Sequence, residues 1–177
     1  GYEFQKIDYQ TLRIDGYKAI AEMMNGVSDK TGVKVKVNNT QVMSSAVQAG
    51  DVKGLAINGV MIGNITVKAN DSDGVLIGAI NAKKDETGVE ASIENGKLVL
   101  ASKDGRAIRI GTISTSYSKL GGRLSGASAA SGGTALSLGT ILLGQITFVR
   151  QDARDIKVGL NGMSAISGMS AAAISTA

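Results

Sequence analysis

The chain has 177 residues, 43% of them apolar but only 3% aromatic, with 24 glycines; it is long enough for one compact domain or two small ones whose core is Val, Ile, Leu, Ala and Met. It contains no cysteine and no histidine, which excludes disulfides, thiolate nucleophiles, histidine metal sites and Ser-His-Asp triads together. The net charge is +4, yet the basic residues are interleaved with acids and with no aromatic platforms, so no nucleic-acid partner is expected, and no apolar stretch approaches the ~18 residues of a membrane helix.

In chain order, Gly1 to Phe4 lack an initiator Met and read as a cut edge of a longer chain. Tyr2 to Ile7 and Gln10 to Ile14 are predicted to form a hairpin turning at Asp8. Asp15 is the candidate cap of a helix whose apolar stripe is Ile20, Met23, Met24 and Val27. After Thr31-Gly32, Val33, Val35 and Val37 alternate with Lys34 and Lys36, the pattern of a strand with one wet face. Glycine replaces proline throughout as the turning residue. Gly54 to Ile57 and Val60 to Gly63 flank Asn58-Gly59, a dipeptide suited to the two positive φ values of a type I′ hairpin turn. Asp71, Ser72 and Asp73 offer capping oxygens to a second helix carrying Leu76, Ile77 and Ile80. A second hairpin follows, Val89 to Ile93 and Lys97 to Ala101 around Glu94-Asn95-Gly96.

Two internal echoes organise these elements. At an offset of 56, Ser28 to Val37 repeats as Lys84 to Ile93, and Ile20, Met24 and Asn25 fall on Leu76, Ile80 and Asn81. At an offset of 48, Lys97 to Ile110 repeats as Gln145 to Val158, each copy a strand, an Asp-small-Arg turn and a strand. Residues 111–144 differ in kind. They are crowded with Ser, Thr, Gly and Ala and lack a sustained period, so they are expected to form an exposed excursion. The last stretch, Gly162 to Ala177, carries no charge and also reads as a cut edge.

No constellation meets the needs of catalysis. Asp71 and Asp73 lack the further ligands of a calcium loop, which places them as helix caps. Asp104 with Arg106, and Asp152 with Arg154, have no nucleophile or base beside them, and their repetition points to turns held by an Asp side chain with an Arg across it. Gly121-Gly122-Arg123-Leu124-Ser125-Gly126 matches no phosphate-loop spacing. The sequons at Asn38, Asn64 and Asn70 matter only in a eukaryotic secreted setting. No enzyme activity, cofactor or metal is expected.

One family resembles the chain. Leu55 to Gly63, Asn70 to Gly74, Ala79 to Ala82, Glu86 to Ala91 and Asp104 to Ile108 are similar to the flagellin IN motif, the Ile-Asn-Gly repeat of the variable middle of bacterial flagellins. Their order looks most like the major flagellins of Campylobacter and Helicobacter relatives, with a further counterpart at Gly144 to Ile156. The expected fold is α+β and β-rich, two IN-type modules of antiparallel hairpins each packed with a short helix. Residues 1–50, completed by 145–160, form the first, 51–110 the second, 111–144 the excursion and 145–177 the return strands and C-terminal edge. The resemblance implies a structural, extracellular outer domain of a flagellar filament subunit. Its partners would be other flagellin subunits, through segments missing here, with possible host-surface or antibody contacts. A hook-associated or capping protein that reuses the motif, and a surface adhesin module, are the alternatives. The resemblance also implies O-glycosylation, for which Thr112, Ser114, Thr115, Ser116, Ser118, Ser125, Ser128, Ser131 and Thr134 are candidates; the same residues would equally serve as a plain linker.

Overall fold

The structure is a computed structural model describing residues 2–113, 116–122, 140–150, 156 and 174–176. The helices are α1 (Tyr9–Asp15), α2 (Tyr17–Asn25), α3 (Ser28–Thr31), α4 (Val75–Asn81) and α5 (Lys84–Thr87). The strands are β1 (Val33–Val42), β2 (Gly50–Ile57), β3 (Val60–Val67), β4 (Val89–Glu94), β5 (Lys97–Ser102), β6 (Ile108–Gly111), β7 (Thr140–Leu142), β8 (Gln145–Arg150) and β9 (Ile174–Thr176). Two compact units result, one of Gly1–Asn39, Asp104–Ala107 and Leu143–Ala177, the other of Thr40–Lys103 and Ile108–Leu142. The division falls at 39/40, and the Asp-Gly-Arg turn belongs to the first unit.

In the first unit β1 pairs antiparallel with β8, from Val33↔Arg150 to Asn38↔Gln145, and β9 lies parallel to β8. The alternation of β1 is as the sequence reads it, with Val33 and Val35 buried and Lys34 and Lys36 exposed. These valines pack with Leu12, Tyr17, Ala21, Met24, Ile146 and Phe148. The expected N-terminal hairpin is not there: residues 9–15 form α1. Asp8 is its cap rather than a turn residue, because its carboxylate accepts the Thr11 N–H at 2.8 Å, satisfying one of the donors a first turn leaves free. Asp15 is accordingly the last residue of α1 and not the cap of α2. Gly16 separates the two helices at φ 57, and a Cβ there would lie 2.8 Å from the Ala107 nitrogen. Only glycine satisfies both conditions.

The second unit holds a four-stranded sheet in the order β3-β2-β6-β7 and the β4–β5 hairpin. Asn58 (φ 53) and Gly59 (φ 85) turn β2 into β3, while Asn95 (φ 51) and Gly96 (φ 75) turn β4 into β5. Both turns have the paired positive φ expected of Asn-Gly in a right-twisted hairpin. Asp71, only 5% exposed, accepts the Leu76 and Ile77 N–H groups at 2.9 and 3.0 Å and so closes the start of α4. Leu76 and Ile80 point into a core with Leu55, Ile57, Val89, Leu98, Leu100, Ile108 and Ile110.

Residues 111–144 depart from the expected exposed excursion at both described ends. A 3-10 turn over Ser116–Leu120 seats Leu120 in the core, and the Gln48 N–H donates to the Lys119 carbonyl at 3.0 Å. At the far end β7 pairs with β6 and buries Leu142. Leu120 and Leu142, 1% and 5% exposed, supply the apolar area that seats these two ends.

Candidate functional site

Among the described residues no three metal-ligating side chains cluster, and no helix is long and apolar enough to cross a membrane. The specialised chemistry of the molecule is instead a set of polar side chains that fasten backbone to backbone. Asn58 is the most heavily used. Its backbone N–H donates to the Arg109 carbonyl at 2.9 Å, its Oδ1 accepts the Arg109 N–H at 2.9 Å, and its carbonyl accepts Arg109 Nη2 at 3.2 Å. Its Nδ2 donates to the Thr87 carbonyl at 2.8 Å, one of the groups left without a partner at the end of α5. The hairpin turn, a helix end and strand β6 therefore meet on one side chain.

The repeat carries a second fastening that sequence reasoning aligned but gave no role. Asn25, at the end of α2, donates from Nδ2 to the Val35 carbonyl at 2.8 Å and accepts the Val35 N–H at Oδ1 at 2.7 Å. Asn81, at the end of α4, does the same to Ala91, at 2.9 and 2.7 Å. A planar amide paired with both groups of one residue fixes how the helix meets the strand that follows. Thr31 and Thr87 also correspond, each accepting an N–H two residues on, from Val33 at 3.3 Å and Val89 at 3.1 Å. Gly32 and Gly88 then adopt the same left-handed geometry, φ 71 in both. The offset of 56 that relates the two copies was the available signal.

Asp104 accepts the Arg106 N–H at 3.2 Å, and the Arg106 guanidinium returns to the same carboxylate through Nε at 2.9 Å and Nη2 at 2.7 Å. Lys18 Nζ stands 3.3 Å away. These donors hold the Asp104 carboxyl well below the ordinary carboxylate range, the Arg106 side chain contributing most. The Arg106 carbonyl is taken by Asn39 Nδ2 at 2.8 Å, so the turn is tied down within the first unit. Asp152 and Arg154 lie outside the described residues.

The candidate hydroxyls are divided. Thr112 and Ser116 are 8% and 5% exposed, which corrects the expectation that they sit on an open loop, and the Ser116 hydroxyl accepts the Lys53 N–H at 3.0 Å. Thr112 follows β6 directly, while Ser116 opens the 3-10 turn and is held against β2 through Lys53. Ser118 is exposed. Ser114, Thr115, Ser125, Ser128, Ser131 and Thr134 lie outside the described residues.

Residues 54–104 match the family model for the flagellin hook IN motif. The chain is 40% identical to flagellin A of Helicobacter felis over 156 residues, which is 87% of this chain and 30% of that protein. It is 40% identical to flagellin B of Helicobacter pylori over 163 residues, 90% of this chain and 30% of the relative. With flagellin A of Helicobacter pylori the identity is 41% over 145 residues, 81% of this chain and 28% of the relative. The chain thus spans less than a third of the length of each.

Proposed function

We propose that this flagellin-like chain, with its IN motif at residues 54–104, is a structural, surface-exposed outer part of a flagellin subunit in the bacterial flagellar filament. The observation that carries the reading is the 40% identity to flagellins A and B sustained over nearly nine-tenths of the chain. The polar side chains support it, since those described above are spent on fastening backbone, as suits a module whose task is to hold a shape. Its subunit partners would be engaged through other parts of the parent protein.

Immunogold labelling of intact cells with antibodies raised against this chain tests the proposal. Label along the whole filament is the expected result. Label confined to the hook junction or the filament tip would assign the chain to a hook-associated or capping protein instead. Label on the cell body alone would favour an adhesin.

Within that reading, Ser118 and the hydroxyls at Ser114, Thr115, Ser125, Ser128, Ser131 and Thr134 are candidates for O-glycosylation, because a transferase needs a hydroxyl that can enter its site. Intact-mass measurement and peptide mapping of the native protein decide this. Unmodified peptides across 111–144 would reduce the stretch to a linker.

A further inference from the structure

We propose that Asn95-Gly96, at the tip of the β4–β5 hairpin, is a site of spontaneous deamidation, and that the fold shields the other two described Asn-Gly pairs, Asn25-Gly26 and Asn58-Gly59. The reaction needs only water. The Gly96 nitrogen attacks the Asn95 side-chain carbonyl carbon and forms a C–N bond. The bond from that carbon to the side-chain nitrogen breaks, and ammonia leaves carrying the proton released by the Gly96 nitrogen. Water then opens one of the two carbonyls of the resulting five-membered succinimide, giving aspartate or isoaspartate. Glycine in the following position favours the attack because no Cβ obstructs the approach.

What separates the three pairs is whether the reacting atoms are free to meet. At Asn25 both amide atoms are held by Val35, at 2.7 and 2.8 Å, and the Gly26 nitrogen donates to the Glu22 carbonyl at 3.0 Å. Turning that amide toward Gly26 breaks the link between α2 and β1. At Asn58 the amide is held between Thr87 and Arg109, at 2.8 and 2.9 Å, so its rotation opens the hub of the second unit. Asn95 is exposed, and among the described residues its side chain makes no hydrogen bond. The Gly96 carbonyl accepts the Val47 N–H at 2.8 Å, which anchors the hairpin while the Asn95 side chain rotates. The product places a new carboxylate beside Glu94. In its isoaspartate form it also adds a backbone methylene to a two-residue turn.

The test uses the whole chain. Folded protein and protein unfolded in urea are held at mildly alkaline pH, digested with trypsin and mapped by mass. The three asparagines fall in separate peptides, Ala19 to Lys30, Gly54 to Lys68 and Asp85 to Lys97, and isoaspartate is counted independently with an isoaspartyl methyltransferase. In the folded chain Asp85 to Lys97 is expected to convert roughly tenfold faster than the other two, because only they must wait for a local opening. In urea the three rates converge. Equal folded rates, or Asn95 as the slowest, would overturn the proposal. Asn95→Gln supplies the second arm: it leaves the circular dichroism unchanged and abolishes conversion in this peptide, whereas persistent conversion there also defeats the assignment.

Discussion

At the scale of single residues, the asparagines and Asp104 carry most of what is specific here, and each yields a measurable consequence. Asn81→Ala removes two hydrogen bonds and strands the N–H and carbonyl of the buried Ala91, so urea denaturation should show a loss of about 2 kcal/mol, with Asn25→Ala similar. Asn58 adds a backbone requirement, since it sits at φ 53. Asn58→Gly loses only the side-chain bonds, and Asn58→Ala should therefore cost about 1 kcal/mol more than Asn58→Gly because alanine is strained in the left-handed region. Asp104 governs a pH dependence. Its folded pKa is depressed from 3.8, first by the Arg106 side-chain hydrogen bond. A depressed carboxyl contributes stability that is present above the unfolded pKa and lost as pH falls below it toward the folded one. Asp104→Asn should therefore flatten the acid limb of the stability curve below about pH 4 and leave the slope above neutrality unchanged. An unaltered acid limb would mean that the turn is formed without its charge.

Among the elements, the two glycines that close α3 and α5 offer a clean measurement. Gly32 has φ 71, but the nearest atoms to a Cβ there are the Arg150 guanidinium nitrogens at 3.9 Å. Any cost of Gly32→Ala is then backbone strain alone, about 1 kcal/mol. Gly78, inside α4 with ordinary helical φ and nothing within 4 Å of a Cβ, should behave oppositely: Gly78→Ala stabilises by about 0.5–1 kcal/mol, read as a raised denaturation midpoint. This contrast also explains how much was legible in the sequence. The hairpins at Asn58-Gly59 and Asn95-Gly96 were readable because a dipeptide dictates the turn, and β1 because valine and lysine alternate. Helix α1 was not, since it buries only Leu12 and shows no apolar stripe. Its start rests on Asp8 and Thr11, a pairing compatible with turn and cap alike. The fastening by Asn25 and Asn81 was visible as a repetition but not as a function, because which strand residue an amide meets is a tertiary fact. Of the candidate hydroxyls, Thr112 and Ser116 looked solvated because composition reports on a whole stretch, whereas burial here depends on the end of β6 for the first and on a 3-10 turn bonded to Lys53 for the second.

For the whole molecule, the boundaries of the sequence motif and of the physical unit differ, and stability should follow the second. The motif match covers 54–104, but the core that surrounds it also contains Met43, Val47, Val52, Ile108, Ile110, Leu120 and Leu142. These arrive from both sides of the motif in sequence, through the segment before β2 and the start of β2 itself, and through β6, the 3-10 turn and β7. Burying one large aliphatic side chain contributes about 1.5–3 kcal/mol, and a domain's net stability is only about 5–15 kcal/mol. Removing all seven therefore costs as much as a typical domain's whole net stability, or more. The excised motif, residues 54–104, should therefore give a random-coil circular dichroism spectrum and collapsed amide dispersion by NMR. Residues 40–142 retain the full core cluster and both partners of Asn58, namely Thr87 and Arg109. That longer fragment should show dispersed amide resonances and a cooperative urea transition. A folded 54–104 would mean that the motif alone suffices and that the flanking strands are additions to an independent core; an unfolded 40–142 would mean that the second unit depends on residues beyond those that fill its core.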